Sequence, residues 1–341
     1  MQMPISILDL ATVPEGATPA DALHATRDLA QAAERLGFTR FWVAEHHNMP
    51  GVASSATAVL IGYLAANTTT LRLGSGGIML PNHSPLVIAE QFGTLASLYP
   101  DRIDLGVGRA PGSDGYAMRA LRRDPRASDQ FPQDVQELQI LLGPRQEGQA
   151  VIANPGMDTN VPIFILGSSM FGAQLAAVLG LPYAFASHFA PDALVDAVGW
   201  YREHFQPSEQ LAEPYVIAAL SVVAADTDEE ARFLFSSSIR RFAEFRRPGN
   251  PGLLKPPVEN IDDYVSPLER QQAMHMLRYA AVGSPATVRE AMLEFAQHSR
   301  ADELMVVSNT YDKAAQIRSV ELVAEAMDLP AHAEIVTNLA G

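Results

Sequence analysis

The 341-residue chain contains no cysteine. Disulfides, thiolate metal sites and a cysteine nucleophile are therefore excluded, and a reducing cytoplasm is the expected compartment. No run of about 18 consecutive apolar residues occurs, so no membrane-spanning helix is expected. The first twenty residues lack a basic start followed by an apolar stretch, and no secretory signal is expected. Cations are scarce: 24 Lys and Arg stand against 39 Asp and Glu, for a net charge of −15. Such a surface repels nucleic acid and anionic membranes, so neither is expected as a partner. Internal repeats and low-complexity tracts are also absent. What the chain has is apolar residues, 48 % of the total, ample for a sizeable core.

Short β-rich runs alternate with amphipathic helical patterns, which implies βαβ units around a parallel sheet. Ile5 to Leu10, Phe41 to Ala44, Leu71 to Gly74, Ile103 to Val107, Pro162 to Leu166, Tyr183 to Ala186, Tyr215 to Ala224 and Leu304 to Val307 read as eight strands. Thr18 caps the first helix, Pro19 suits its first position, Asp21 favours its positive end and Gly37 closes it. Ser84-Pro85 opens a helix carrying Ala89, Phe92 and Leu95, and a last helix runs from about Asp312 to Met327. Eight repeats predict an α/β fold, a (β/α)₈ TIM barrel, with a doubly wound open sheet as the rival. A barrel needs roughly 250 residues, so the excess belongs in loops. The expected organisation is one barrel domain over residues 1–341 with a lid-like insertion at about 244–280.

Two segments break the rhythm. Arg109 to Asp129 is long and polar, with Arg119, Arg122, Arg123 and Arg126. Pro248 to Gly252, with Pro256 and Pro257, begins a stretch without regular periodicity up to about Pro267. Long loops in compact domains are commonly functional, and barrel chemistry sits on the loops at the strands' carboxyl ends. Lid duty is expected of both.

Glu45-His46-His47 closes strand two, where a carboxylate and imidazoles can bind metal or move protons. Adjacent residues of an extended chain point to opposite faces, so His46 and His47 are poorly placed to share one ion. His83 and His188 follow later strands, which keeps a metal-dependent hydrolase built on His46, His83 and His188 as an alternative. Gly74-Ser75-Gly76-Gly77 follows strand three and suits either a turn or bulge, or close approach to a flat ligand. Gly106-Val107-Gly108-Arg109-Ala110-Pro111-Gly112 imitates a dinucleotide fingerprint, but its third glycine is one residue late and Pro111 interrupts. Arg109 suits either an anion clamp or a surface ion pair. Gly167-Ser168-Ser169 leads into a helix near Ser169, which suits either ordinary capping or a phosphate seat.

Together these segments resemble the bacterial-luciferase-like flavin monooxygenases over about residues 5–328. Phe41 to Met49 is similar to the family's second-strand motif, Gly74 to Pro85 with Ile88-Ala89-Glu90-Gln91 to its third, and Arg102 to Arg109 to its fourth. The resemblance implies a barrel that binds reduced FMN and uses O₂ on a small organic substrate such as an aldehyde. By position it makes His46 the histidine of the reaction and Glu45 its neighbour at the flavin edge. Gly76 and Gly77 are the pair joined by a cis bond behind the ring, and Glu90 a carboxylate near the flavin. Arg109 contacts the flavin phosphate, and Ser168 and Ser169 cradle it. His188 is assigned to the substrate. A separate flavin reductase and a homodimer are implied as well. Light-emitting members carry a reactive cysteine beside the phosphate arginine; Gly108 stands there, which points to the single-gene, non-luminous branch. A deazaflavin-dependent hydride transferase and a flavin-binding protein without turnover are the alternatives within the family.

Overall fold

The computed structural model of the chain describes residues 3–110, 114–124, 126–245, 247 and 252–331. Pro111 and Gly112 of the fingerprint-like segment, and Pro248 to Pro251 of the insertion, lie outside the described residues. In chain order the elements are β1 (Ile5–Asp9), α1 (Pro19–Arg35), β2 (Arg40–Val43), α2 (Thr57–Ala65), β3 (Arg72–Met79), α3 (Pro85–Leu98), β4 (Ile103–Gly108), α4 (Gly115–Ala120) and α5 (Phe131–Leu142). There follow β5 (Ile163–Gly167), α6 (Met170–Leu179), β6 (Tyr183–Phe185), α7 (Leu194–His204), β7 (Val216–Ala224), α8 (Asp228–Glu244) and α9 (Pro267–Met276). The last four are β8 (Ala281–Gly283), α10 (Pro285–Ser299), β9 (Glu303–Val307) and α11 (Lys313–Ala326).

Strands β1 to β7 and β9 pair in parallel around a closed ring. The pairing of Tyr183 with Val216 joins β6 to β7 and rules out an open sheet. These are the eight strands expected from the sequence. A further strand, β8, pairs with the carboxyl end of β7 through Val222 to Ala224. Its three residues are too few to show a period. Strand β3 also runs farther than expected, through the glycines to Met79, and its register against β4 shifts between Ser75 and Ile78. Glycines inside a strand commonly accompany such a bulge.

Local chemistry accounts for the helix ends. Thr18 and Asp21 form a reciprocal capping box at the start of α1. Gly37 then turns the chain with φ of +82°, and a Cβ there would meet the Pro330 carbonyl oxygen. Ser84 stands at the cap of α3, but its side chain makes no capping bond. Among the described residues no helix is long and apolar enough to cross a membrane.

Alternation along the strands separates two apolar layers. Ile7, Phe41, Leu73 and Leu105 point outward and pack with Leu29, Ile61 and Phe92 of the helices. Leu8, Trp42, Phe164, Ile217 and Met305 fill the barrel, where the Trp42 and Phe164 rings meet edge to face at 5.0 Å. At the strands' amino ends the interior is charged instead. Arg40 donates to Glu303 Oε1 at 2.8 Å, to Glu303 Oε2 at 3.0 Å and to Asp104 Oδ2 at 2.7 Å. Trp42 Nε1 donates to Asp104, and the Tyr215 hydroxyl to Glu303. Burial disfavours the charge on Arg40, but the two carboxylates outweigh it and raise its pKa above the ordinary value. This network plugs the barrel floor and leaves the mouth at the carboxyl ends for chemistry.

Removing Arg40 would leave Glu303 buried without a cation and Asp104 with Arg72 alone, although neutral donors remain on both. Arg40→Met is therefore expected to lower the unfolding free energy by about 3–5 kcal/mol in urea titration. A loss well under about 1 kcal/mol would show that the plug contributes little.

Candidate active site at the barrel mouth

Beyond β2 the chain stays extended, held by the Ala44 amide on the Asp9 carbonyl (3.1 Å) and the His46 amide on the Ser54 carbonyl (3.0 Å). Side chains continue to alternate, so Glu45 and His47 share one side and His46 takes the other. Glu45 is only 1 % exposed. Its Oε1 lies 2.7 Å from His47 Nε2 and 2.8 Å from His83 Nε2, and its Oε2 accepts from the Met79 amide at 3.0 Å. An ionised carboxylate only accepts, so both imidazoles present Nε2–H to it. Burial pushes the Glu45 carboxyl up, but the His47 and His83 hydrogen bonds, the His83 charge and the Met79 amide overcome that and bring it down to about 2. The bond from Glu45 raises the His47 pKa against the opposing effect of burial.

His46 and His188 interact from opposite sides of the mouth. Burial, reinforced by the proximity of His46, lowers the His188 pKa to about 3, so this ring is neutral near pH 7. Its Nδ1 is shielded from solvent and has no hydrogen-bond partner among the described residues. The trio His46, His83 and His188 considered for a metal does not assemble, because His83 turns to Glu45. Among the described residues, Glu45, His47 and His83 form the one set of three such donors within 4.8 Å of each other. Ligation requires neutral imidazole, whereas the raised pKa of His47 favours imidazolium donating to Glu45.

The Gly76–Gly77 peptide bond is cis. A Cβ on Gly76 would sit 2.6 Å from Leu8 Cδ1, and one on Gly77 would sit 2.7 Å from the Gly106 carbonyl oxygen. Neither position has room for a side chain. On the adjacent strands, exposed Arg109 lays its guanidinium 4.0 Å from the centroid of Phe171, in the first turn of α6. Ser169 holds the cap position there without a side-chain capping bond, and its carbonyl accepts from the Tyr183 hydroxyl at 3.0 Å. Helix geometry leaves the first-turn amides of α6 without intrahelical acceptors. Arg109 is thus brought to the amino end of α6, which Ser169 caps. Glu90, half-buried on α3, joins neither cluster among the described residues. Phe171 was not anticipated; its only signal was an aromatic two residues beyond Ser169.

The two unusual segments both dock on this rim. The 109–129 segment is less irregular than expected, since it contains α4 and a 3₁₀ turn at Ala127–Gln130. Arg123 Nε donates to the Asn82 carbonyl at 2.9 Å, and the Asn48 side chain to Asp114 at 2.8 Å. After α8, the Leu254 amide donates to the Val13 carbonyl at 2.9 Å and its carbonyl accepts from Glu15 at 2.8 Å. Gly51 packs so closely on Gly252 that a Cβ would lie 2.3 Å from its carbonyl oxygen. Ile261, Val265 and Ala273 build a small core with Ala243, an order that the proline-rich sequence concealed.

Comparison with known proteins agrees with this architecture. The sequence matches the luciferase-like monooxygenase family over residues 3–303. The chain belongs to this family. A luciferase-like monooxygenase of Escherichia coli K12 is 51 % identical over 321 residues, covering 94 % of this chain and 96 % of the relative. The N-acetyl-S-alkylcysteine monooxygenase of Bacillus subtilis is 42 % identical over 234 residues, 67 % of this chain and 69 % of that one. The crystal structure of apo-MsnO8 superposes with a TM-score of 0.85 at 36 % identity, covering 96 % of this chain and 99 % of that one. Family membership makes this luciferase-like monooxygenase an oxidoreductase, and its closed barrel is the one shared with MsnO8.

The depressed Glu45 carboxyl carries a pH signature. Its stabilisation is complete above its ordinary pKa of 4.5 and is lost as pH falls toward about 2. The shift corresponds to about 3 kcal/mol at neutral pH. Glu45→Gln is expected to reduce the acid dependence in that window, which other depressed carboxyls such as Glu269 share, read by urea unfolding at a series of pH values. An unchanged acid limb would show that Glu45 is not the group responsible.

Proposed function

We propose that this luciferase-like monooxygenase binds reduced FMN at the barrel mouth and uses O₂ to oxygenate a small organic substrate there. The observation that carries the reading is the meeting of Arg109, Phe171 and the open amino end of α6, beside the cis Gly76–Gly77 bond. A guanidinium and free helix amides are the donor set for a phosphate monoester. Reduced flavin, when bound, supplies the two electrons with which one atom of O₂ enters the substrate and the other leaves as water.

The chain's own groups would divide the remaining work. Arg109, Ser168 and Ser169 would hold the phosphate. Gly76 and Gly77, without side chains, would let the backbone back a flat ring, with Glu90 near its edge. Glu45 would act by fixing His47 and His83 at the rim. His46 would hold or move a proton at the reacting centre, with neutral His188 on the substrate side. Segment 252–265, docked over the β1 and β2 loops, would exclude water from the mouth. The relative named for N-acetyl-S-alkylcysteines supports oxygenation of a small polar molecule, and an aldehyde belongs to the same broad class. We assign electron supply to a separate flavin reductase, and infer a homodimer and a cytoplasmic location.

Anaerobic titration with reduced FMN and with reduced deazaflavin, followed by absorbance, tests the cofactor. Tight binding of deazaflavin alone would replace oxygenation by hydride transfer. Arg109→Ala is expected to weaken FMN binding by about 1–3 kcal/mol, the scale of a lost charge-assisted hydrogen bond. Unchanged affinity would remove Arg109 from the phosphate seat. His46→Ala should bind FMN normally yet lose about 10²-fold or more in coupled oxygenation. Undiminished turnover would leave His46 without a role in the reaction.

A further inference from the structure

A second basic cluster lies across the rim from Arg109, over the carboxyl ends of β1 and β9. Arg241 stands near the end of α8, with Ser237 one turn before it on the same face. This helix is fixed to the rim: Ser238 Oγ donates to the Asn309 carbonyl at 3.0 Å, and Thr12 Oγ1 to Asn309 Oδ1 at 3.1 Å. Arg241 Nη1 and Ser237 Oγ are both shut off from solvent, and neither atom has a hydrogen-bond partner among the described residues. Lys313, the first residue of α11, is close enough to Arg241, Asp9 and the capping Asp312 to feel the charge of each. Its ammonium reaches Gln316 Oε1 at 3.3 Å. Asp9 is already committed, since its Oδ2 accepts from Thr26 Oγ1 and the Ala11 amide.

The contrast with the barrel floor is informative. Arg40 is buried against two carboxylates. Arg241, half-buried with its Nη1 enclosed, meets none among the described residues, and desolvation lowers its pKa to about 10. It still carries its charge at neutral pH. An enclosed cation without a counter-ion is costly, and so is an enclosed hydroxyl without a partner. Placed one helical turn apart and beside a lysine, these donors suit an oxygen anion supplied from outside the chain. Two cations stand against the carboxylates of Asp9 and exposed Asp312, so no positive charge is left over, and a singly charged carboxylate suits the site better than a phosphate dianion.

We propose that Arg241, Lys313 and Ser237 seat the carboxylate of the small-molecule substrate, on the opposite side of the mouth from the flavin phosphate. Calling the ligand a substrate rests on the function proposed above; the anion seat itself does not. The substrate class is thereby narrowed to small organic acids whose reacting atom lies away from the carboxylate.

Calorimetric titration of the full chain with hexanoate, hexanamide and hexyl phosphate tests this without turnover. Hexanoate is expected to bind saturably and hexanamide to bind at least about tenfold more weakly. Arg241→Met and Lys313→Met should each weaken hexanoate about tenfold to a hundredfold, with partial retention in Arg241→Lys. Thermal melting confirms that each variant is folded, and Ser237→Ala serves if Arg241→Met is not. No hexanoate binding by the unmodified chain would overturn the proposal. Equal binding of acid and amide, or hexanoate affinity indifferent to Arg241 and Lys313, would do so as well. Hexyl phosphate binding that responds to Arg241→Met and exceeds hexanoate would replace the carboxylate by a phosphate. Reduced FMN is titrated in parallel. Arg241-dependent hexanoate binding in a chain that ignores FMN supports the anion seat and overturns the flavin reading.

Discussion

The mouth of this barrel is organised by one buried carboxylate. Glu45 sits just beyond β2 and accepts hydrogen bonds from His47 two residues on, from His83 beyond β3 and from the Met79 amide. An ion this enclosed is tolerable only because every donor around it is aimed inward. The consequence is geometric. The 80–83 corner is locked to the β2 loop, and Arg123 then ties the 109–129 segment to that corner. His46, facing the other way, is left beside His188. The positions of the imidazoles thus follow from the need to satisfy Glu45.

The two ends of the barrel treat charge differently. At the floor, Arg40 and Arg72 neutralise Asp104 and Glu303, and the carboxylates also engage Trp42 and Tyr215. At the mouth, His188 Nδ1, Ser237 Oγ and Arg241 Nη1 are enclosed without partners among the described residues, whereas toward the amino ends Arg202 Nε is enclosed on a guanidinium that is paired with Asp302. Satisfied polar groups serve the fold, while enclosed unsatisfied ones are the usual mark of places where another molecule completes the set. A closed parallel barrel gives this asymmetry a physical basis, because its connecting loops at the carboxyl ends can vary without disturbing the ring.

The strands and first helix were legible because their signals are local. Alternation set which side of β1 and β2 faces inward, and Thr18, Pro19, Asp21 and Gly37 delimit α1 through their own backbone chemistry. The short strand β8 and the continuation of β3 through Gly74 to Gly77 were not legible, since both depend on pairing with a neighbour. The order within 252–276 was hidden for the same reason, its few apolar residues gaining meaning only against Ala243.

The sequence by itself determined the alternating pattern, the eight barrel strands, the acidic cysteine-free composition and the resemblance that pointed to Glu45, His46, Gly76, Gly77 and Arg109. Closure of the ring required the contact between β6 and β7. Only the tertiary structure decided that His83 joins His47 on Glu45, that Arg109 rests on Phe171, and that Arg241 meets no carboxylate among the described residues. Spacing along a chain reports the face on which a side chain lies. The partner it finds there depends on segments tens to hundreds of residues away, brought within hydrogen-bonding reach by the curvature of the barrel.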